Sequence, residues 1–151
     1  MGKIDNTDMK ILTELVKDSS VSVPKLSRRI NVNSSVAYSR IKRLVRRGLI
    51  RRFTLEVNDE LLGYNVRAVV GVNIDSKLRQ DIMAELLQLE DVQNLVEITG
   101  RFDLLVMVRT KSLDDLHEFV SGKLGRMNGV THTETFLEMK RRTKLPSYSL
   151  K

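Results

Sequence analysis

Between Asp18 and Glu56 the chain has no acidic residue but ten lysines and arginines. Solvated helical faces interleave both signs, because i,i+4 pairs offset like-charge repulsion. A segment this one-sided cannot pair within itself, which favours a polyanion over a merely solvated face. The remaining charge is partitioned as sharply. Residues 1–60 carry 13 Lys/Arg and 7 Asp/Glu, residues 61–138 carry 8 and 12, and residues 139–151 carry 5 and none. A basic head, an acidic body and a basic tail thus lie beneath a net charge of +7. Such asymmetry points to nucleic acid for the head. The competing account is a thermally robust protein with many solvated charges.

Composition excludes several chemistries. The 151 residues, 41% of them hydrophobic, suffice for one or two small cored domains. No run of 18 apolar residues is available for a membrane helix, and Met1-Gly2-Lys3-Ile4-Asp5 lacks the apolar stretch of a secretory leader. Without cysteine there is no disulfide, thiolate zinc site, iron–sulfur cluster or thiol nucleophile. His117 and His132 fall on different elements and offer no nucleophile–base pair or metal set. The expectation is a soluble, cytoplasmic, non-enzymatic protein without metal or cofactor.

The head reads as three helices. Asp5 and Asp8 have capping-box spacing, and Ile4, Ile11, Leu12, Leu15 and Val16 follow on one face. Ser22 opens a short second helix with Pro24 in its first turn and Leu26 and Ile30 inward. Asn31 suits a left-handed turn, and Asn33 can cap a third helix running from Ser34 to about Arg47, closed by Gly48. On that helix Ala37, Ile41, Leu44 and Val45 share an apolar side. The opposite side gathers Ser35, Ser39, Lys42, Arg43 and Arg46, flanked by Ser34 and Tyr38. A helix–turn–helix uses this order. Short polar side chains let the helix N-terminus approach base edges, and later cations hold phosphates. Residues 49–57 suit a small β wing carrying Arg51 and Arg52. The expected DNA-facing set is Ser34, Ser35, Tyr38 and Ser39 toward bases, with Arg40, Lys42, Arg43, Arg46 and Arg51 toward phosphates. A solvated basic face is the alternative for this helix.

The body reads as two βαβ halves. Strands are expected at 64–74, 92–99, 103–110 and 130–139. Between them lie one helix capped by Ser76 with Leu78, Ile82, Met83, Leu86 and Leu87 inward, and another capped by Ser112 with Asp115. This order suggests a ferredoxin-like antiparallel sheet with two helices on one face. With no further helix to cover the other face, a second chain is the expected cover. Gly100-Arg101-Phe102 reads as a turn leading into the third strand.

The pattern resembles the Lrp/AsnC family of bacterial and archaeal transcription regulators over residues 3 to about 140. The likeness rests on Ile4-Asp5…Asp8…Ile11-Leu12, Leu26-Ser27-Arg28-Arg29-Ile30 and Val36…Arg40-Ile41-Lys42-Arg43-Leu44…Gly48-Leu49-Ile50. In the body it rests on Thr99-Gly100-Arg101-Phe102-Asp103-Leu104-Leu105 and Gly129-Val130…Thr133-Glu134-Thr135. The resemblance implies an α+β chain: a winged helix–turn–helix over 1–50, a wing strand and linker over 51–63, a ferredoxin-like sensing and oligomerisation domain over 64–139, and a basic tail over 140–151. It implies double-stranded DNA as partner, dimers that assemble to octamers, nucleoid association, and an amino-acid effector. The implied effector residues are Ile98, Thr99, Gly100, Arg101, Phe102, Asp103, Leu104, Thr133 and Thr135, with Arg101 open to either an effector contact or a solvated role. A ligand-responsive regulator is the expected function. An architectural DNA-wrapping protein without an effector response is the alternative.

Overall fold

Asp5 and Asp8 start the first helix by reciprocal capping. The Asp8 N–H donates to Asp5 Oδ1 at 3.0 Å, and the Asp5 N–H donates to Asp8 Oδ2 at 3.1 Å. The computed structural model describes residues 3–150, in two compact units, 3–57 with 142–150 and 58–141. In the first unit, helix α1 spans Asn6–Lys17, α2 spans Val23–Ile30 and α3 spans Ser34–Arg46. Asn31 ends α2 at φ +56°, and Asn33 caps α3 by accepting from the Ser35 N–H at 3.0 Å. Between those two asparagines the chain turns in one residue, the tight connection a helix–turn–helix requires. Ile11, Leu26, Ile30 and Leu44 form the core of the three-helix head.

Residues 51–57 carry no strand. Within the chain this stretch finds no second strand to pair with, so the segment expected as a wing stays unpaired. Instead the segment is held by the Ser19 hydroxyl, which donates to the Thr54 carbonyl at 3.0 Å.

The second unit opens with a 3₁₀ turn at Asp59–Leu62, then β1 (Val66–Ile74), a 3₁₀ turn at Ser76–Leu78, and α4 (Arg79–Leu86). Strands β2 (Val92–Glu97) and β3 (Leu104–Thr110) precede α5 (Leu113–His117), which continues as a π-helical stretch over Glu118–Leu124 before β4 (Val130–Leu137). All pairings are antiparallel in the order β2-β3-β1-β4, the ferredoxin-like topology the two βαβ halves suggest. Alternate residues of β1 and β3, Ala68, Val70 and Val72 against Leu104, Val106 and Val108, enter the core with Ile82, Leu86, Leu116, Phe119 and Leu124.

Two details differ from the expected pattern. Asp75, not Ser76, caps the segment leading into α4, accepting from the Lys77 N–H at 2.9 Å, and Leu87 lies past the helix end, exposed. Ser112 and Asp115 do form a capping box on α5, but its α-helical part is five residues long.

Candidate nucleic-acid interface and glycine loop

The cations of α3 divide by whether they have a carboxylate partner. Arg40 Nη1 sits 2.6 Å from Asp5 Oδ2 and 3.1 Å from Asp8 Oδ1, and Arg43 Nη2 lies 2.7 Å from Asp8 Oδ2. Asp8 is fully buried, so these arginines serve it from α3 and pin the start of α1 to that helix. Arg40 and Arg43, expected at phosphates, are therefore engaged within the head. The Arg40 guanidinium also holds the Asp5 carboxyl below its ordinary value, helped by the Asp8 N–H.

Lys42 and Arg46 differ. Both are exposed, and among the described residues neither has a carboxylate partner. The Lys42 ammonium lies 4.8 Å above the Tyr38 ring, which is itself half exposed. Ser35 and Ser39 are exposed on the same helix, their hydroxyls donating only to Asn33 Oδ1 and the Val36 carbonyl. Ser34 is half buried, with its hydroxyl 2.9 Å from that of Ser27, so it locks α2 to α3. Arg51 and Arg52 are exposed beyond the helix. Lys25 and Arg28 on α2 are also exposed and without carboxylate partners among the described residues. Sequence reading did not single them out, although the acid-free run that contains them was the available signal.

In the second unit, the β2–β3 connection is closed by the Ile98 N–H donating to the Asp103 carbonyl at 2.9 Å. Gly100 stands at φ +132°, with open space where a side chain would be. Among the described residues, neither Thr99 nor Gly100 makes a hydrogen bond. The backbone N–H groups of Thr99 and Gly100 thus have no partner among the described residues. Asp103 Oδ2 accepts from the Ile74 N–H at 3.0 Å, and its Oδ1 lies 3.8 Å from Arg79 Nη2. Leu104 is fully buried in the core, and Phe102 is buried over Gly71.

The loop meets β4 on one face only. Phe102 stacks on His132 with centroids 6.4 Å apart, and Arg101 Nη2 reaches Glu134 Oε2 at 2.8 Å. Thr133 and Thr135, paired with Val72 and Val70, lie on the helix-bearing side instead. The structure therefore brings Arg101 and Phe102 to His132 and Glu134. It does not bring Thr133 and Thr135 to the side where those contacts are made. Strict alternation along β4 separates the two sets.

Comparison with known proteins settles the lineage. Residues 4–51 match the winged helix-turn-helix DNA-binding family, and residues 67–147 match the Lrp/AsnC ligand binding domain. The chain belongs to the Lrp/AsnC family. As a family member it is a DNA-binding transcriptional regulator with a ligand-binding domain. It is 32% identical to the HTH-type transcriptional regulator FL11 of Pyrococcus furiosus over 139 residues, covering 92% of this chain and 91% of that one. The Escherichia coli AsnC structure superposes with a TM-score of 0.86 at 25% identity, covering 96% and 100%. The fold is shared also with the Neisseria meningitidis regulator NMB0573, solved with L-Met, at a TM-score of 0.92, 23% identity and 97% coverage of each chain. No helix among the described residues is long and apolar enough to cross a membrane, and no cluster of three potential metal ligands occurs among them.

Proposed function

We propose that this Lrp/AsnC regulator reads duplex DNA with α3 and changes its assembly or DNA affinity when an amino acid binds at the 98–104 loop. The observation that carries the DNA assignment is the pairing pattern on α3. Lys42 and Arg46 remain free for phosphates beside small exposed hydroxyls at Ser35 and Ser39, with Tyr38 between them. Arg51 extends the phosphate-facing set. Arg40, Arg43 and Ser34 hold the helix in place and so act on DNA through its position.

The effector assignment rests on Thr99 and Gly100. Two adjacent, unpartnered N–H groups in a glycine turn make a receptor for a carboxylate. Asp103, with one oxygen not bound to the backbone, and Glu134 supply negative charge for an α-ammonium. Ile98, Arg101 and Phe102 complete the set. Thr133 and Thr135 enter it only if the ligand reaches round the β4 edge. That NMB0573 was solved with L-Met supports the amino-acid class. The same family membership supports a non-enzymatic role.

The open face of the sheet supports self-association. Val69, Leu105, Met107 and Phe136 lie there partly exposed, and no helix of the unit covers them. A second copy is the cover, and dimers assembling to octamers follow the family pattern.

A thermal-shift screen against the twenty amino acids, with and without duplex DNA, tests the reading. A ligand at about 100 times its dissociation constant adds about 2.7 kcal/mol to the folded state. A selective shift that also changes DNA affinity is the expected result. DNA binding without any amino-acid shift would favour the architectural alternative.

A further inference from the structure

The C-terminal segment returns to the DNA-binding head. Residues 142–150 belong to the same compact unit as residues 3–57. Tyr148 lines a cavity of about 650 Å³ together with Met9, Leu12 and Leu15 of α1 and Leu49 and Phe53 beyond α3. Its carbonyl oxygen accepts from the Thr13 hydroxyl at 3.5 Å. The cavity is lined mainly by apolar side chains and leaves Tyr148 about half exposed, so the ring anchors the segment at the surface of the head.

The charges on this segment have nothing to neutralise them. No aspartate or glutamate occurs from residue 139 to 151. Arg141 is taken by Glu138, at 2.8 and 2.6 Å, but Arg142 and Lys144 are exposed and have no carboxylate partner among the described residues. Lys144 stands four residues from the anchor, a reach of about 14 Å at most. Arg51 and Arg52 line the same cavity as Tyr148. Phe53 lines both that cavity and the groove on α3 formed by Ser39, Lys42 and Arg46. The tail's free cations are thus tethered to the part of the head where the unpartnered cations of α3 and residues 51–52 already gather.

We propose that residues 142–150 form a second phosphate-binding element of the head, anchored by Tyr148 and contacting duplex DNA through Arg142 and Lys144. This rests on the reading of α3 as the DNA-facing helix. Such contacts add affinity without reading sequence, because they touch only the backbone. They release counterions, so they appear in the salt dependence of binding.

The test uses the full chain and compares wild type with the double variant R142S/K144S on two duplexes, one preferred and one random. Each lost phosphate contact lowers the slope of log affinity against log salt by about 0.9. The expected result is a slope smaller by about two, an equal loss of affinity on both duplexes, and an unchanged melting temperature. Y148A, which removes no charge, should lower the slope in the same direction by freeing the tail. Wild-type slope and affinity in the double variant, with wild-type protein binding DNA normally, would overturn the proposal and leave the α3 reading intact. A double variant that loses single-stranded RNA but not duplex would overturn it as well. Absence of duplex binding by wild type at about 50 mM salt would bring down the α3 reading and this proposal together.

Discussion

Phe102 lies over Gly71 so closely that a β-carbon added at Gly71 would meet three ring carbons at 2.6 to 2.7 Å. The backbone at Gly71 is ordinary, so the constraint is space and not conformation. By this contact a strand in the middle of the sheet sets the position of the 98–104 loop. Gly71→Ala must push the ring aside, and overpacking of this kind costs about 1–3 kcal/mol. Urea unfolding should show the loss, and Phe102→Leu in the same chain should recover part of it. Additive effects of the two changes would mean the ring does not rest on Gly71 in solution.

Asp8 is buried and ion-paired on two sides, and it also caps α1. Asp8→Ala leaves Arg43 without its carboxylate, while Arg40 keeps Asp5. Removing one partner of a buried pair costs about 3–5 kcal/mol. Here both arginines reach solvent, so the loss should be smaller, about 2 kcal/mol. Thermal unfolding measures it. DNA affinity should fall with it because α3 loses its brace. A variant with wild-type stability would show the brace to be unimportant.

Acid should weaken the head through Asp5. Its carboxyl titrates below the ordinary 3.8, first because of the hydrogen bond from Arg40 and next because of the Asp8 N–H. A group whose folded value is depressed contributes stability above its unfolded value and loses it as pH falls through the folded one. The contribution is therefore present at neutral pH and fades below about pH 4. Carboxyl carbon NMR should place the Asp5 midpoint below 3.8, and Arg40→Ala should return it towards that value. An unshifted midpoint in wild type would remove the Arg40–Asp5 bond from the account.

Asp103 separates structure from recognition. Its Oδ2 fixes the Ile74 N–H, so Asp103→Ala removes both a backbone tie and a charge. Asp103→Asn keeps an oxygen acceptor for the Ile74 N–H, removes the charge and turns the other oxygen into an NH2 donor. The asparagine variant should fold like wild type yet bind an amino acid about ten- to a hundredfold more weakly, since one charge-assisted hydrogen bond is worth about 1.5–3 kcal/mol. Calorimetric titration with the amino acid found by the screen decides. Equal affinity would move the α-ammonium away from Asp103.

Much of this was legible from local chemistry. The Asp5–Asp8 and Ser112–Asp115 boxes, the left-handed Asn31 and the apolar strand at 103–110 are short-range features, and they formed where expected. Pairings across the chain were not legible. Nothing in the spacing of Arg40 and Arg43 tells them from Lys42 and Arg46; only the folded distance to Asp5 and Asp8, more than thirty residues earlier, does so. The contact of Ser34 with Ser27 was hidden for the same reason, because Ser27 lies on another helix. The wing segment could not be resolved from composition: residues 51–57 are strand-like but pair with no second strand within the chain. That Thr133 and Thr135 share a face with Val72 and Val70, away from Arg101 and Phe102, depends on strand register, which a one-residue shift would reverse.

The division among the α3 cations gives opposite expectations for neighbouring positions. Arg46 is exposed and unpaired, so Arg46→Ala should weaken all duplexes alike and lower the salt slope by about one. Ser39 sits one helical turn from Arg43 with its hydroxyl at the surface. Ser39→Ala should change preference at one base pair by about 1–3 kcal/mol with the slope unaltered. Arg43→Ala should resemble neither. Its guanidinium is held by Asp8, so stability falls, and affinity follows stability with no change in slope once folded protein is counted. Binding of each variant to a panel of single-base operator changes, at several salt concentrations, separates the three outcomes. A salt slope lowered by one in Arg43→Ala would show that this side chain leaves Asp8 for a phosphate when DNA binds. An unchanged slope in Arg46→Ala would take Arg46 off the backbone.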